Sequence, residues 1–178
     1  MIFLRHPTPH VEQGICYGRT DLDIAPIGHE QIDKALESTP KFTRIVASPA
    51  LRCRKLTLSL AERENLKPVF DERLWEMNMG DWEGLAWKAI DRNASEEWLK
   101  DPINNSTPNG EAFRDLQKRV LECIGELMDE QAQSTVVVCH AGPIRATQMH
   151  WHGISFREAF AETPPYSEPI RLMHPNWS

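Results

Sequence analysis

Three short runs of nearly uninterrupted apolar residues constrain this chain more than anything else in it. They are Met1 to Leu4, Arg44 to Ala47, and Thr135 to Cys139 with Val136-Val137-Val138 at its centre. A strand with one wet face alternates apolar and polar residues, whereas a strand covered on both faces reads as a continuous apolar run, the habit of parallel sheets. Pro68 to Phe70 and Ile170 to Met173 are weaker strand candidates. Helical patterns lie between these runs. Ile27, Ile32, Ala35 and Leu36 form an apolar stripe, and Ser48-Pro49 predicts an N-cap with proline at the first position of a helix over 50–64. From Gly110 to Gln131, Phe113, Leu116, Val120, Cys123, Ile124 and Leu127 recur at three- and four-residue steps, and Gly142-Pro143 opens a further helix toward His150. Strand and helix in alternation predict a three-layer α/β/α sandwich around a mostly parallel sheet.

Residues 74–108 break that rhythm. They hold four of the six tryptophans (Trp75, Trp82, Trp87, Trp98) with short, poorly periodic helices, and predict an insertion over the active-site end of one domain spanning 1–178. The tryptophans are expected mainly as core, although an aromatic-rich lid would also suit a substrate with a flat base. At 178 residues the chain is long enough for a sizeable core without staples. Cys16, Cys53, Cys123 and Cys139 are scattered, with no C-x-x-C, and are expected as reduced thiols. Met1 to Arg5 reaches a charge too soon for a signal peptide, and no run approaches the ~18 apolar residues of a membrane span, so a cytoplasmic location is expected. Twenty Lys and Arg against 26 Asp and Glu give a net charge of −6 with no basic block. Nucleic acid and membrane surfaces are therefore not expected as partners, and any anionic partner is small and locally bound. A homodimer is left open.

Ligands of open α/β sheets sit at the carboxyl ends of the strands. Arg5-His6 follows the first run, Ser48 to Arg52 the second, and His140-Ala141-Gly142-Pro143 the valine run, so two imidazoles and two guanidiniums gather on one edge. Glu76 follows the weaker candidate, Pro68 to Phe70. Guanidiniums match phosphate oxygens bidentately, and a neutral imidazole among fixed cations keeps its lone pair for attack on phosphorus. A nearby carboxyl can hand a proton to the leaving oxygen and take one from water. His10, His150 and His152 have no third ligand at recognisable spacing, so no metal or cofactor is expected.

These residues resemble the histidine phosphatase superfamily, the phosphoglycerate-mutase-like proteins. The resemblance rests on Arg5-His6 after the first strand, Ser48-Pro49-Ala50-Leu51-Arg52, Glu76 before Gly80-Asp81-Trp82-Glu83-Gly84, and His140-Ala141-Gly142-Pro143-Ile144-Arg145-Ala146. It implies the phosphoglycerate-mutase-like fold and a metal-independent phosphomonoesterase. His6 would be the phosphorylated nucleophile, Arg5 and Arg52 the phosphate clamps, His140 a phosphate and transition-state contact, and Glu76 the general acid/base. Gly18, Arg19, Ala141 and Gly142 would add substrate contacts, with backbone donors at Gly18, Ala141 and Gly142, the last two at a helix N-terminus. Pro7 stands where the family usually has glycine, which removes one N–H and fixes φ near −65°. Cys16-Tyr17-Gly18-Arg19-Thr20-Asp21 with Gly28 resembles the α-ribazole phosphatase branch, which implies removal of a 5′-phosphate from a nucleoside in cobalamin assembly. A phosphoglycerate-mutase-type isomerase and a non-catalytic phospholigand-binding protein use the same scaffold, and both stay open at this point.

Overall fold

A computed structural model describes residues 1–177. The strands are β1 (Ile2–Arg5), β2 (Arg44–Ala47), β3 (Val69–Phe70), β4 (Thr135–Cys139) and β5 (Ile170–Arg171). The helices are α1 (Ile27–Ser38), α2 (Leu51–Arg63), α3 (Arg92–Lys100), α4 (Phe113–Glu126), α5 (Ala141–His152) and α6 (Phe156–Ala161). The sheet runs β3-β2-β4-β1-β5. All its pairings are parallel except that of β5, which lies antiparallel to β1 with Phe3 opposite Ile170.

Successive strand residues point to opposite faces, and here each face has its own core. Phe3, Val46, Val137 and Cys139 pack with Leu116, Val120 and Ile124 of α4 and Ile144 and Trp151 of α5. Ile2, Leu4, Ile45, Ala47, Val136 and Val138 pack with Ile32 and Ala35 of α1 and Leu56 and Leu60 of α2. This double burial is why the strands carry no polar alternation, and the three-layer sandwich follows from it.

Two helix starts differ from expectation. Helix α2 opens at Leu51, not after a Ser48 cap, because the Leu51 N–H is taken by Asp21 Oδ1 from a remote loop at 2.7 Å. Ser48 Oγ accepts the Ala50 N–H at 3.3 Å and faces His140. Helix α4 opens at Phe113 and ends at Glu126, shorter than 110–131. Gly110 belongs instead to a tight turn in which a Cβ would stand 2.0 Å from Thr107 Oγ1 and 2.5 Å from the Asn78 carbonyl.

The 74–108 stretch runs through one-turn helices at 80–82 and 87–89 into α3. It joins the 14–18 loop through Cys16 N–H to Leu85 O at 2.8 Å and Gly84 N–H to Cys16 O at 2.9 Å. Trp82 is buried and meets Trp98 edge-on at 5.7 Å. No helix among the described residues is long and apolar enough to cross a membrane.

The two-sided core sets a stability contrast. Leu116→Ala, in fully buried α4 packing, is expected to lower the unfolding free energy by about 2–5 kcal/mol. Leu99→Ala, on α3 and 62% exposed, should change it by no more than ~0.5 kcal/mol, both read from urea denaturation midpoints.

Candidate active site

His6 leaves the end of β1 buried, and its Nδ1 lies 2.7 Å from the Pro7 carbonyl oxygen. A carbonyl can only accept, so Nδ1 carries the proton and Nε2 is left with a bare lone pair. Pro7, although it lacks an N–H, thus supplies through its backbone carbonyl a contact that sequence reasoning missed.

His140, at the end of β4, is equally buried, with its ring centroid 5.1 Å from that of His6. Its Nδ1 lies 3.3 Å from Arg52 Nη2 and its Nε2 lies 2.8 Å from Ser48 Oγ. A guanidinium can only donate, so Nδ1 accepts and Nε2–H donates to Ser48. Trp75 stacks on this ring at 6.0 Å and 10°. Both imidazoles are held well below their ordinary pKa, first by burial and next by the Arg52 charge. For His6 the Pro7 hydrogen bond opposes the shift and Arg5 adds to it.

The two arginines are fixed differently. Arg52 is fully buried and donates to Thr20 O and Gly18 O, each at 2.8 Å. Arg5 donates to Pro164 O and the Tyr166 hydroxyl, each at 3.0 Å, with its guanidinium carbon 3.8 Å above the Tyr166 ring. The buried Nε–H of each has no partner within the protein. Tyr166, whose ring lies 5.6 Å from that of His6, also meets Tyr17 hydroxyl to hydroxyl at 3.4 Å. Nothing in the spacing of Tyr166, 161 residues from Arg5, announces that contact.

Glu76 is hung from α4 rather than from the sheet. Arg119 donates to the carbonyls of Arg73 at 2.6 Å, Trp75 at 2.7 Å and Glu76 at 3.0 Å, and pairs with Glu111 at 2.5 Å. Glu111 also accepts Asn78 N–H at 2.8 Å, which accounts for its place after Gly110. The Glu76 carboxylate accepts Met77 N–H at 2.9 Å and Gly142 N–H at 3.2 Å. The Gly142 amide, expected to face an anion, is thus engaged by Glu76. A Cβ at Gly142 would stand 2.1 Å from Glu76 Oε1.

Neighbouring Glu83 is committed to structure: it accepts Arg19 N–H at 2.8 Å, Met79 N–H at 3.1 Å, and both the N–H and the hydroxyl of Thr20. Burial pushes its carboxyl up, but these hydrogen bonds together hold it below the usual range. They clamp the 16–20 loop to the 77–84 loop. Gly18 lies in that clamp, where a Cβ would stand 2.1 Å from Met77 O.

A cavity of about 320 Å³ opens over these groups. Arg5, His6, Glu76, Ala141, Gly142, Tyr17 and Arg145 line one part, and Trp87, Trp98, Phe113, Phe156 and Phe160 are among those that line the rest. Arg52, His140 and Gly18 are not on its wall. The first two stand behind His6, and Gly18 gives its carbonyl to Arg52. Arg19 is not brought to the cavity; its half-exposed side chain lies 3.9 Å from Glu111. Burial drives the thiols of Cys16 and Cys53 up to about 12, so neither is a ready nucleophile. Among the described residues no three His, Cys, Asp or Glu side chains come together as a metal site.

Residues 1–166 match the family described as Histidine phosphatase superfamily (branch 1). The chain is 30% identical over 152 residues to a putative phosphoserine phosphatase 2 of Hydrogenobacter thermophilus, covering 82% of this chain and 75% of that protein. It is 28% identical to the glucosyl-3-phosphoglycerate phosphatase of Mycolicibacterium vanbaalenii, covering 82% and 71%. The crystal structure of an α-ribazole phosphatase from Shigella flexneri superposes with a TM-score of 0.83 at 20% identity, covering 93% and 86%, a likeness of fold. With the family matched from the first strand to Tyr166 and phosphatases among its relatives, the chain belongs to the histidine phosphatase superfamily and is a phosphatase.

Proposed function

We propose that this chain is a phosphomonoester hydrolase that works through a phosphohistidine on His6. The observation that carries the reading is the orientation of His6: with Nδ1–H given to Pro7, Nε2 is an unprotonated nucleophile flanked by the charges of Arg5 and Arg52. Nε2 attacks phosphorus and the bond to the leaving oxygen breaks. Glu76 gives that oxygen its proton, then takes one from the water that attacks the phosphohistidine, and the P–N bond breaks to release inorganic phosphate. Arg5, on the cavity wall, holds the equatorial oxygens, for which its unpartnered Nε–H is at hand, while Arg52 lends its charge from behind His6. His140 sits behind them, oriented by Ser48. No metal enters these steps.

The substrate is a small phosphorylated metabolite, and α-ribazole 5′-phosphate is the first compound to try, on the strength of residues 16–21 and Gly28. Comparing kcat/KM for it, phosphoserine and glucosyl-3-phosphoglycerate tests the choice, since discrimination lives in that ratio.

Three outcomes check the mechanism. His6→Ala should lower kcat for a generic aryl phosphate by at least ~10³-fold and abolish alkali-stable, acid-labile protein phosphorylation. Label on a serine or aspartate would overturn it. Gly142→Ala should displace the Glu76 carboxylate and cost roughly 10²-fold in kcat with circular dichroism unchanged; wild-type kcat would exclude the Glu76 role. The His6 ring, followed by NMR with His6→Ala as the assignment control, should still be neutral at pH 6. Because the folded ring resists a proton that the unfolded ring accepts near pH 6.5, stability should fall as pH drops below that value, by about 1 kcal/mol per pH unit for each such ring.

A further inference from the structure

The aromatic rings around the cavity form two groups. Trp82 touches Trp87 at 6.3 Å and Trp98 at 5.7 Å, while Phe113, Phe156 and Phe160 touch one another at 4.0 to 5.5 Å. Among the described residues no ring contact joins the first group to the second, although Trp87 and Trp98 of the first line the same cavity as the second. The polar end of that cavity holds Arg5, His6 and Glu76.

The phenylalanine group is built to stay in place. Helix α6 is tied at its start by Ser155 and Glu158, with Ser155 N–H to Glu158 Oε2 at 2.7 Å. It is tied at its end by Arg145, which donates to Ala159 O at 3.1 Å and Glu162 O at 3.0 Å. The same guanidinium stands 4.2 Å from the Phe160 ring centroid. Trp87 and Phe160 nevertheless remain 47% and 37% exposed. Folding leaves a large apolar ring of each group uncovered at the cavity, which is the mark of a surface that a ligand covers.

Resting on the phosphatase reading above, we propose that the leaving group of the substrate carries a planar aromatic ring system, seated between the Trp87/Trp98 group and the Phe156/Phe160 group. Rings stack on aromatic side chains through their faces, so such a slot selects flatness and size over hydrogen-bonding pattern. Phosphate on a short polar backbone would reach His6 but leave the slot unfilled.

Two substrates with equally basic leaving groups test this: 2-(2-naphthyl)ethyl phosphate and n-propyl phosphate, both of which release primary alkoxides. Wild-type kcat/KM should favour the naphthyl compound by roughly tenfold or more, and Trp87→Ala and Phe160→Ala should each reduce that ratio by about fivefold. Equal kcat/KM for the two in the wild type would overturn the slot while leaving the phosphatase standing, whatever the variants do. A preference that neither substitution moves would also overturn it. Hydrolysis of neither compound while a generic aryl phosphate is turned over would overturn the slot alone, and turnover of none of the three would remove the phosphohistidine reading with it.

Discussion

The site depends on keeping two imidazoles uncharged next to two permanent cations. Burial and the Arg52 charge both resist protonation of His6 and His140. A buried neutral ring must still satisfy its N–H, and here the Pro7 carbonyl accepts that of His6 and the Ser48 hydroxyl that of His140. Those two bonds choose the tautomers, and the tautomers decide which nitrogen faces outward. The arginines cannot be neutralised by nearby carboxylates without losing this effect, and the partners they use are mostly carbonyls and hydroxyls.

Much of this was legible because it is local. The apolar runs read as two-sided strands since β1, β2 and β4 are central, and the residues just beyond them had to land on one edge. His6, Arg5, Arg52 and His140 follow from that topology. The motifs on which the family resemblance rests, Ser48 to Arg52 and Gly80 to Gly84, turn out to be largely scaffolding: Ser48 orients an imidazole rather than capping a helix, and Glu83 fastens two loops.

What was not legible came from pairings across long stretches of chain that no periodicity encodes. Asp21 caps α2 from thirty residues upstream, so the helix begins later than a local reading of Ser-Pro suggests. Tyr166 and Pro164 hold Arg5 from the other end of the chain. Arg19 stood among the expected substrate contacts, but its backbone N–H is what the site uses, through Glu83. The phenylalanines of α4 and α6 carried no signal beyond amphipathic periodicity, and only the packing of α6 against α4 brings them together.

The Arg119 fork separates two mechanical supports. The nucleophile and Arg5 are mounted on the end of β1 and Arg52 on the first turn of α2, whereas the carboxylate that manages protons is suspended from α4 by one guanidinium reaching the carbonyls of Arg73, Trp75 and Glu76. Anion capture and proton delivery are therefore tuned by different layers of the sandwich. Drift in α4 over evolutionary time could retune the handling of the leaving oxygen for a new alcohol without disturbing the grip on phosphorus.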